Sequence, residues 1–79
     1  MKILIVDDEA EILNMLRRHL EMDGYDVTVT TSPHEAIKLM KQELFPLVLS
    51  DIKMPGMSGI DILREVKKIN PLTNVLIMT

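Results

Sequence analysis

Three aspartates are the residues best placed to do chemistry in this chain. Asp7 and Asp8 follow the run Lys2–Val6 (KILIV), and Asp51 follows the run Leu47–Ser50 (LVLS). Each run reads as a short strand buried on both faces. All three carboxylates therefore sit at the C-terminal ends of strands, where open α/β sheets bind their ligands. If the two strands are neighbours, the three meet in one crevice. Like charges that close demand a cation or the uptake of a proton. Every donor is an oxygen, which selects Mg²⁺, with Mn²⁺ as the alternative ion, over zinc or copper. An aspartate beside such an ion can attack phosphorus and become an acyl phosphate, while the ion offsets charge on the transferring group. The reaction class that follows is Mg²⁺-assisted phosphoryl transfer onto an aspartate. A plainer reading stands beside it. An acidic pair after a strand is often only a helix N-terminal cluster favoured by the dipole, and Asp51 alone would be an ordinary strand end.

The elements that must position these groups are marked by the pattern of the chain. After Asp7-Asp8-Glu9, a helical stripe runs through Ile12, Leu13, Leu16 and Leu20 and stops at Gly24. Asp8 and Glu11 have the spacing of a capping box. Asp26–Thr30 (DVTVT) alternates like an edge strand with one wet face. Ser32-Pro33-His34-Glu35 starts a second helix, with a cap, a proline at the first position and an acid three residues after the cap. It carries Ala36, Ile37, Leu39, Met40 and Leu44 inward and ends before Pro46. A loop runs from Ile52 to Gly59. A third helix begins near Ser58–Ile60, buries Ile62, Leu63, Val66 and Ile69, and is broken by Pro71. Val75–Met78 (VLIM) is a fourth strand, and Thr79 closes the chain. The order β-α-β-α-β-α-β implies a parallel sheet with helices on both faces.

Composition narrows the class. The chain has 79 residues, enough for one small domain of marginal stability. Hydrophobic residues make up 47% and charged residues 27%, which excludes a disordered tail. Aromatics are only 3%, so the core is aliphatic. A formal charge of −3 argues against direct nucleic-acid binding, which needs a basic patch. With no cysteine there is no disulfide, thiolate metal site or cysteine nucleophile. No apolar run approaches the ~20 residues of a membrane span, and the N-terminus lacks a secretory signal. The expectation is a soluble cytoplasmic domain that does not touch the membrane. His19 and His34 have no metal-ligand spacing and read as surface residues. Lys67-Lys68 and Arg17-Arg18 read as solvated helix faces. Of the seven methionines, most read as core gap-fillers, with Met54 and Met57 as exposed loop contacts.

The joint pattern resembles the receiver domain of bacterial two-component response regulators. Four features carry the resemblance: the apolar strand into Asp7-Asp8-Glu9, the strand into Asp51, the stretch Met54-Pro55-Gly56-Met57-Ser58-Gly59, and Thr79 at the end of a fourth apolar strand. They run in order from Met1 to Thr79 without a gap. The resemblance implies the flavodoxin-like fold with strand order 2-1-3-4. It also implies that Asp51 is the phosphoacceptor, that Asp8 holds Mg²⁺ directly and Asp7 through water, and that the backbone carbonyl of Lys53 is a further ligand. Thr79 would supply the hydroxyl that senses the phosphoryl group, and Pro55 and Gly59 would shape the loop beside Asp51. A histidine kinase or a small acyl phosphate would be the phosphodonor. The chain would be a catalyst at most of its own phosphorylation and slow dephosphorylation.

The resemblance further implies a fourth helix, fifth strand and fifth helix after Thr79, with a lysine that contacts the phosphoryl oxygens and a switch aromatic. Residues 1–79 are thus expected to form a single receiver-type domain cut short at its C-terminus. Phosphotransfer is expected to be impaired relative to metal binding. An uncovered fourth strand would favour a homo-oligomer, a symmetric dimer that covers that strand or the first helix. Two other functions compete. One is a self-associating assembly module of the same fold that is never phosphorylated. The other is a phosphatase of the haloacid-dehalogenase type, which needs an acid two residues after the nucleophile, where this chain has Lys53.

Overall fold

A computed structural model of the chain describes residues 1–51 and 56–78. The strands are β1 (Lys2–Val6), β2 (Asp26–Thr30), β3 (Leu47–Asp51) and β4 (Asn74–Met78), and the helices are α1 (Ala10–Met22), α2 (Pro33–Gln42) and α3 (Gly59–Ile69). All strand pairs are parallel, and the sheet order is β2-β1-β3-β4. The flavodoxin-like arrangement with helices on both faces is thus observed. No described helix is long and apolar enough to cross a membrane.

The alternation of β1 divides the core. Leu4 and Val6 point to one face, where they meet Ala36 and Met40 of α2, Ile62 and Val66 of α3, and Val48. Ile3 and Ile5 point to the other, where Leu13 of α1 and Val27 cover them. Four successive residues of β1 are buried, which is why its sequence is continuously apolar rather than alternating. As the edge strand the alternation indicated, β2 is only partly covered.

The helix ends follow local chemistry. Ser32 Oγ accepts from the Glu35 amide at 3.2 Å, with Pro33 in the first turn. Ser58 and Asp61 form a reciprocal capping box. Gly24 ends the α1 turn with φ +92, a left-handed conformation that glycine adopts at no steric cost. Asp8, however, does not cap α1. The N-cap is Glu9, without a side-chain bond, and Asp7 accepts from the Glu9 amide from outside the helix.

Three other expectations need correction. Leu44 is not on the inner face of α2. The helix stops at Gln42, the chain extends at Glu43, and Leu44 is left 67% exposed while Phe45 turns fully inward. Met57 is half-buried against the larger core cluster rather than an exposed contact. Lys67 is not simply solvated, since its ammonium donates to the carbonyls of Pro71 and Thr73 and holds the turn before β4.

That turn has a buried anchor. The Thr73 hydroxyl donates 2.8 Å to the Phe45 carbonyl, and the Asn74 amide donates to the Pro46 carbonyl. Thr73→Val keeps the shape but leaves a buried carbonyl unpaired. It is expected to lower unfolding stability by about 1–3 kcal/mol, read as a lower urea midpoint at unchanged slope.

Candidate metal centre

The register of the sheet builds the site. Val6 stands opposite Ser50 in the β1–β3 ladder, so Asp7 and Asp51 come next on adjacent strands and project on one face. Two backbone contacts hold Asp7 in place. Its amide donates to the Thr30 carbonyl at 3.3 Å, extending the β1–β2 ladder past the strand. One of its carboxylate oxygens accepts from the Glu9 amide at 3.0 Å, which turns the chain into α1. Asp8 sits at the crest of that turn and is exposed. Asp51 is half-buried and has interactions of its own, and beneath it the hydroxyl of the fully buried Ser50 donates to the Asp51 carbonyl.

Asp7, Asp8 and Asp51 each present an oxygen within 4.8 Å of the others. The sequence expectation that these three converge is met in the geometry. At that range a pair of ionised carboxylates repels by on the order of 3–4 kcal/mol at an effective dielectric of about 20. Burial pushes the Asp7 carboxyl above its ordinary range, against the stabilising Glu9 amide, and the charges of Asp51 and Asp8 add to the upward shift. The donor set is entirely hard oxygen, from side chains that run from buried to exposed. It fits Mg²⁺, which takes one or two carboxylates and keeps water, and it offers nothing to a soft ion.

Lys53 and Thr79, the other residues assigned to the site, lie outside the described residues, as do Met54 and Pro55. Gly59 is the buried first residue of α3 rather than part of the loop. His19 and His34 are exposed and away from the cluster, as expected of surface histidines. Ser50 and Thr30 were not identified from the sequence. Their roles run through backbone carbonyls, for which a lone hydroxyl residue in a strand gives no signal.

A flavodoxin-like parallel sheet with an acidic crevice off the tips of two adjacent central strands places the cluster where open α/β sheets bind their ligands. A family model described as "Response regulator receiver domain" matches residues 3–79. The chain is 40% identical over 77 residues to the transcriptional regulatory protein ZraR of Salmonella typhimurium, covering 98% of this chain and 18% of that one. A response regulator receiver domain protein from Clostridium thermocellum superposes with a TM-score of 0.92 at 42% identity, over 96% of this chain and 62% of that one. The Thermotoga maritima response regulator TrrA, solved in complex with Mg²⁺–BeF, gives 0.86 at 34% identity, over 96% and 64%. In a complex of TrrA with the histidine kinase ThkA the values are 0.92 and 33%, over 99% and 67%. The chain belongs to the response regulator receiver domain family. It spans less than a fifth of the length of ZraR and about three-fifths of the Clostridium chain.

The raised Asp7 carboxyl has a stability consequence with a definite sign. Its folded value lies above the ordinary 3.8, so the native state holds the proton more tightly than the unfolded chain does. Stability contributed by this group is present below pH 3.8 and falls as pH rises through the raised value. Asp7→Asn keeps an oxygen for the Glu9 amide and removes the charge. In metal-free buffer at neutral pH it is expected to raise the melting midpoint by a few degrees. The gain should shrink towards zero as the buffer is acidified below the carboxylate range.

Proposed function

We propose that this chain is a phosphoacceptor module of two-component signalling, in which Asp51 receives the phosphoryl group. The observation that carries the reading is the convergence of Asp7, Asp8 and Asp51 within 4.8 Å in a chain of the receiver family. Asp51 is the acceptor because it alone ends the central strand β3, with its partners on the neighbouring strand tip. Asp8, exposed, binds Mg²⁺ directly, and Asp7, buried, does so through water. Asp51 and the backbone carbonyl of Lys53 complete the ligand set, and Mn²⁺ can replace Mg²⁺. The Thr79 hydroxyl takes the switch role of the family. When bound, the ion supplies positive charge beside the transferring oxygens.

In the transfer, a carboxylate oxygen of Asp51 attacks phosphorus. The bond from phosphorus to the donor breaks, and its electron pair leaves with the donor, a phosphohistidine of a histidine kinase or the carboxylate of a small acyl phosphate. The anhydride that forms on Asp51 is hydrolysed slowly by water, so the chain turns over only its own phosphate. The complex of TrrA with a histidine kinase supports a kinase as partner, and its complex with Mg²⁺–BeF supports the ion.

Incubation with Mg²⁺ and acetyl phosphate is expected to add the mass of one phosphoryl group. Asp51→Asn and removal of Mg²⁺ by a chelator should each abolish the gain. Asp8→Asn should weaken Mg²⁺ binding at least about tenfold. A folded protein that gains no mass, or gains it equally in Asp51→Asn, contradicts the proposal.

A further inference from the structure

Two thioethers and an imidazole stand on α1 without a structural task. Leu13, Leu16 and Leu20 face the sheet, whereas Met15, His19 and Met22 are on the solvent side of the helix. At about 100° of turn per residue these three fall within an arc of about 60°, with a rise of about 6 Å from Met15 to His19 and about 4.5 Å from His19 to Met22. The imidazole is thus flanked by one thioether a turn before it and one a turn after it. All three border a single shallow groove of about 300 Å³. The core does not employ them. Met15 is 51% and Met22 83% exposed, while Met40 is buried in the core and Met57 and Met78 pack against it. The His19 imidazole makes no hydrogen bond or ion pair among the described residues, and it has no partners of the carboxylate or imidazole kind for a metal.

We propose that Met15, His19 and Met22 form a binding site for a soft monovalent metal ion, Cu⁺, for which Ag⁺ is the redox-inert analogue. Thioether sulfur is an uncharged, polarisable donor that selects Cu⁺ and offers nothing to a hard ion, and imidazole suits copper as well. Each methionine turns about three bonds, so both sulfurs can close on an ion held at the imidazole nitrogen. The backbone favours a cation at this place. His19 lies in the last turn of α1 and Met22 ends the helix, where the terminal carbonyls carry partial negative charge. Glu11 and Arg18, which border the same groove, offset each other in charge. The acidic cluster lies before the start of α1, so hard oxygen donors stand at one end of this helix and soft donors at the other. The site is independent of phosphoryl transfer to Asp51.

The absence of cysteine makes the test clean, since no thiolate competes for the ion. The chain is titrated with Ag⁺ in nitrate buffer and followed by NMR of the methionine methyl groups and histidine rings. The Met15, Met22 and His19 signals are expected to shift together and to saturate at one equivalent. Excess Mg²⁺ should leave them shifted, and Cu⁺ kept reduced with ascorbate should displace Ag⁺. Met15→Leu, Met22→Leu and His19→Gln change exposed side chains and keep the fold, and each should weaken Ag⁺ binding about tenfold or more. His34→Gln, at the other exposed histidine, should leave the affinity unchanged. Shifts of equal size at Met1 or His34 overturn the proposal, as do leucine variants that bind as tightly as the parent chain. Reversal by Mg²⁺, failure of Cu⁺ to displace Ag⁺, or no saturation at millimolar Ag⁺ overturns it as well.

Discussion

The parallel pairing of β1 with β3 is the constraint on which the rest depends. It aligns two strands whose next residues are both aspartates, and so it forces carboxylates together that would otherwise stay apart. The sheet can do this because its stability comes from elsewhere. Ile3, Leu4, Ile5 and Val6 are buried on both faces by three helices, and Val48 joins them from β3. Apolar burial holds the strands in register, and the register holds the charges against their repulsion. Stability is thereby stored as an unfavourable arrangement at the strand tips, which a divalent ion or a proton relieves.

That arrangement accounts for the one helix whose start departs from local rules. α2 and α3 begin with side-chain caps, Ser32 and Ser58, each bonded to the third amide of its helix. α1 begins with none. Asp7 and Asp8 are turned towards the acidic cluster they share with Asp51, and Asp7 accepts from the Glu9 amide from outside the helix. A local rule is broken at the candidate site, and the neighbouring elements, which obey their rules, supply the rigidity.

Much of this was legible in the residues. Three strands read as short apolar runs because a parallel sheet buries both faces, β2 read as an alternating edge strand, and the start of α2 read from its Ser-Pro-x-Glu spacing. The three aspartates were legible as a site because each follows a strand. Strand order was not, since periodicity says which face is buried but not which neighbour sits beside it. That came from resemblance to the family. The errors share a cause. Asp8 as a cap and Leu44 on the α2 stripe were extrapolations of pattern past where the helices run, since α1 starts one residue later with Glu9 at its N-cap and α2 ends at Gln42 with Glu43 extended. Thr73 acts on the Phe45 carbonyl, which the fold brings near, while Ser50 and Lys67 act on carbonyls close in the chain, and a backbone carbonyl carries no residue-type signal to announce such a partner.

The account stands on a single shared ion site at the tips of β1 and β3, and paramagnetic broadening by Mn²⁺ reads its place directly. In amide NMR spectra, substoichiometric Mn²⁺ is expected to erase the signals of residues flanking Asp7, Asp8 and Asp51 first, with excess Mg²⁺ restoring them by competition. Broadening spread evenly over the acidic surface, or centred on Glu21, Asp23 and Asp26 at the far end of α1, would contradict it.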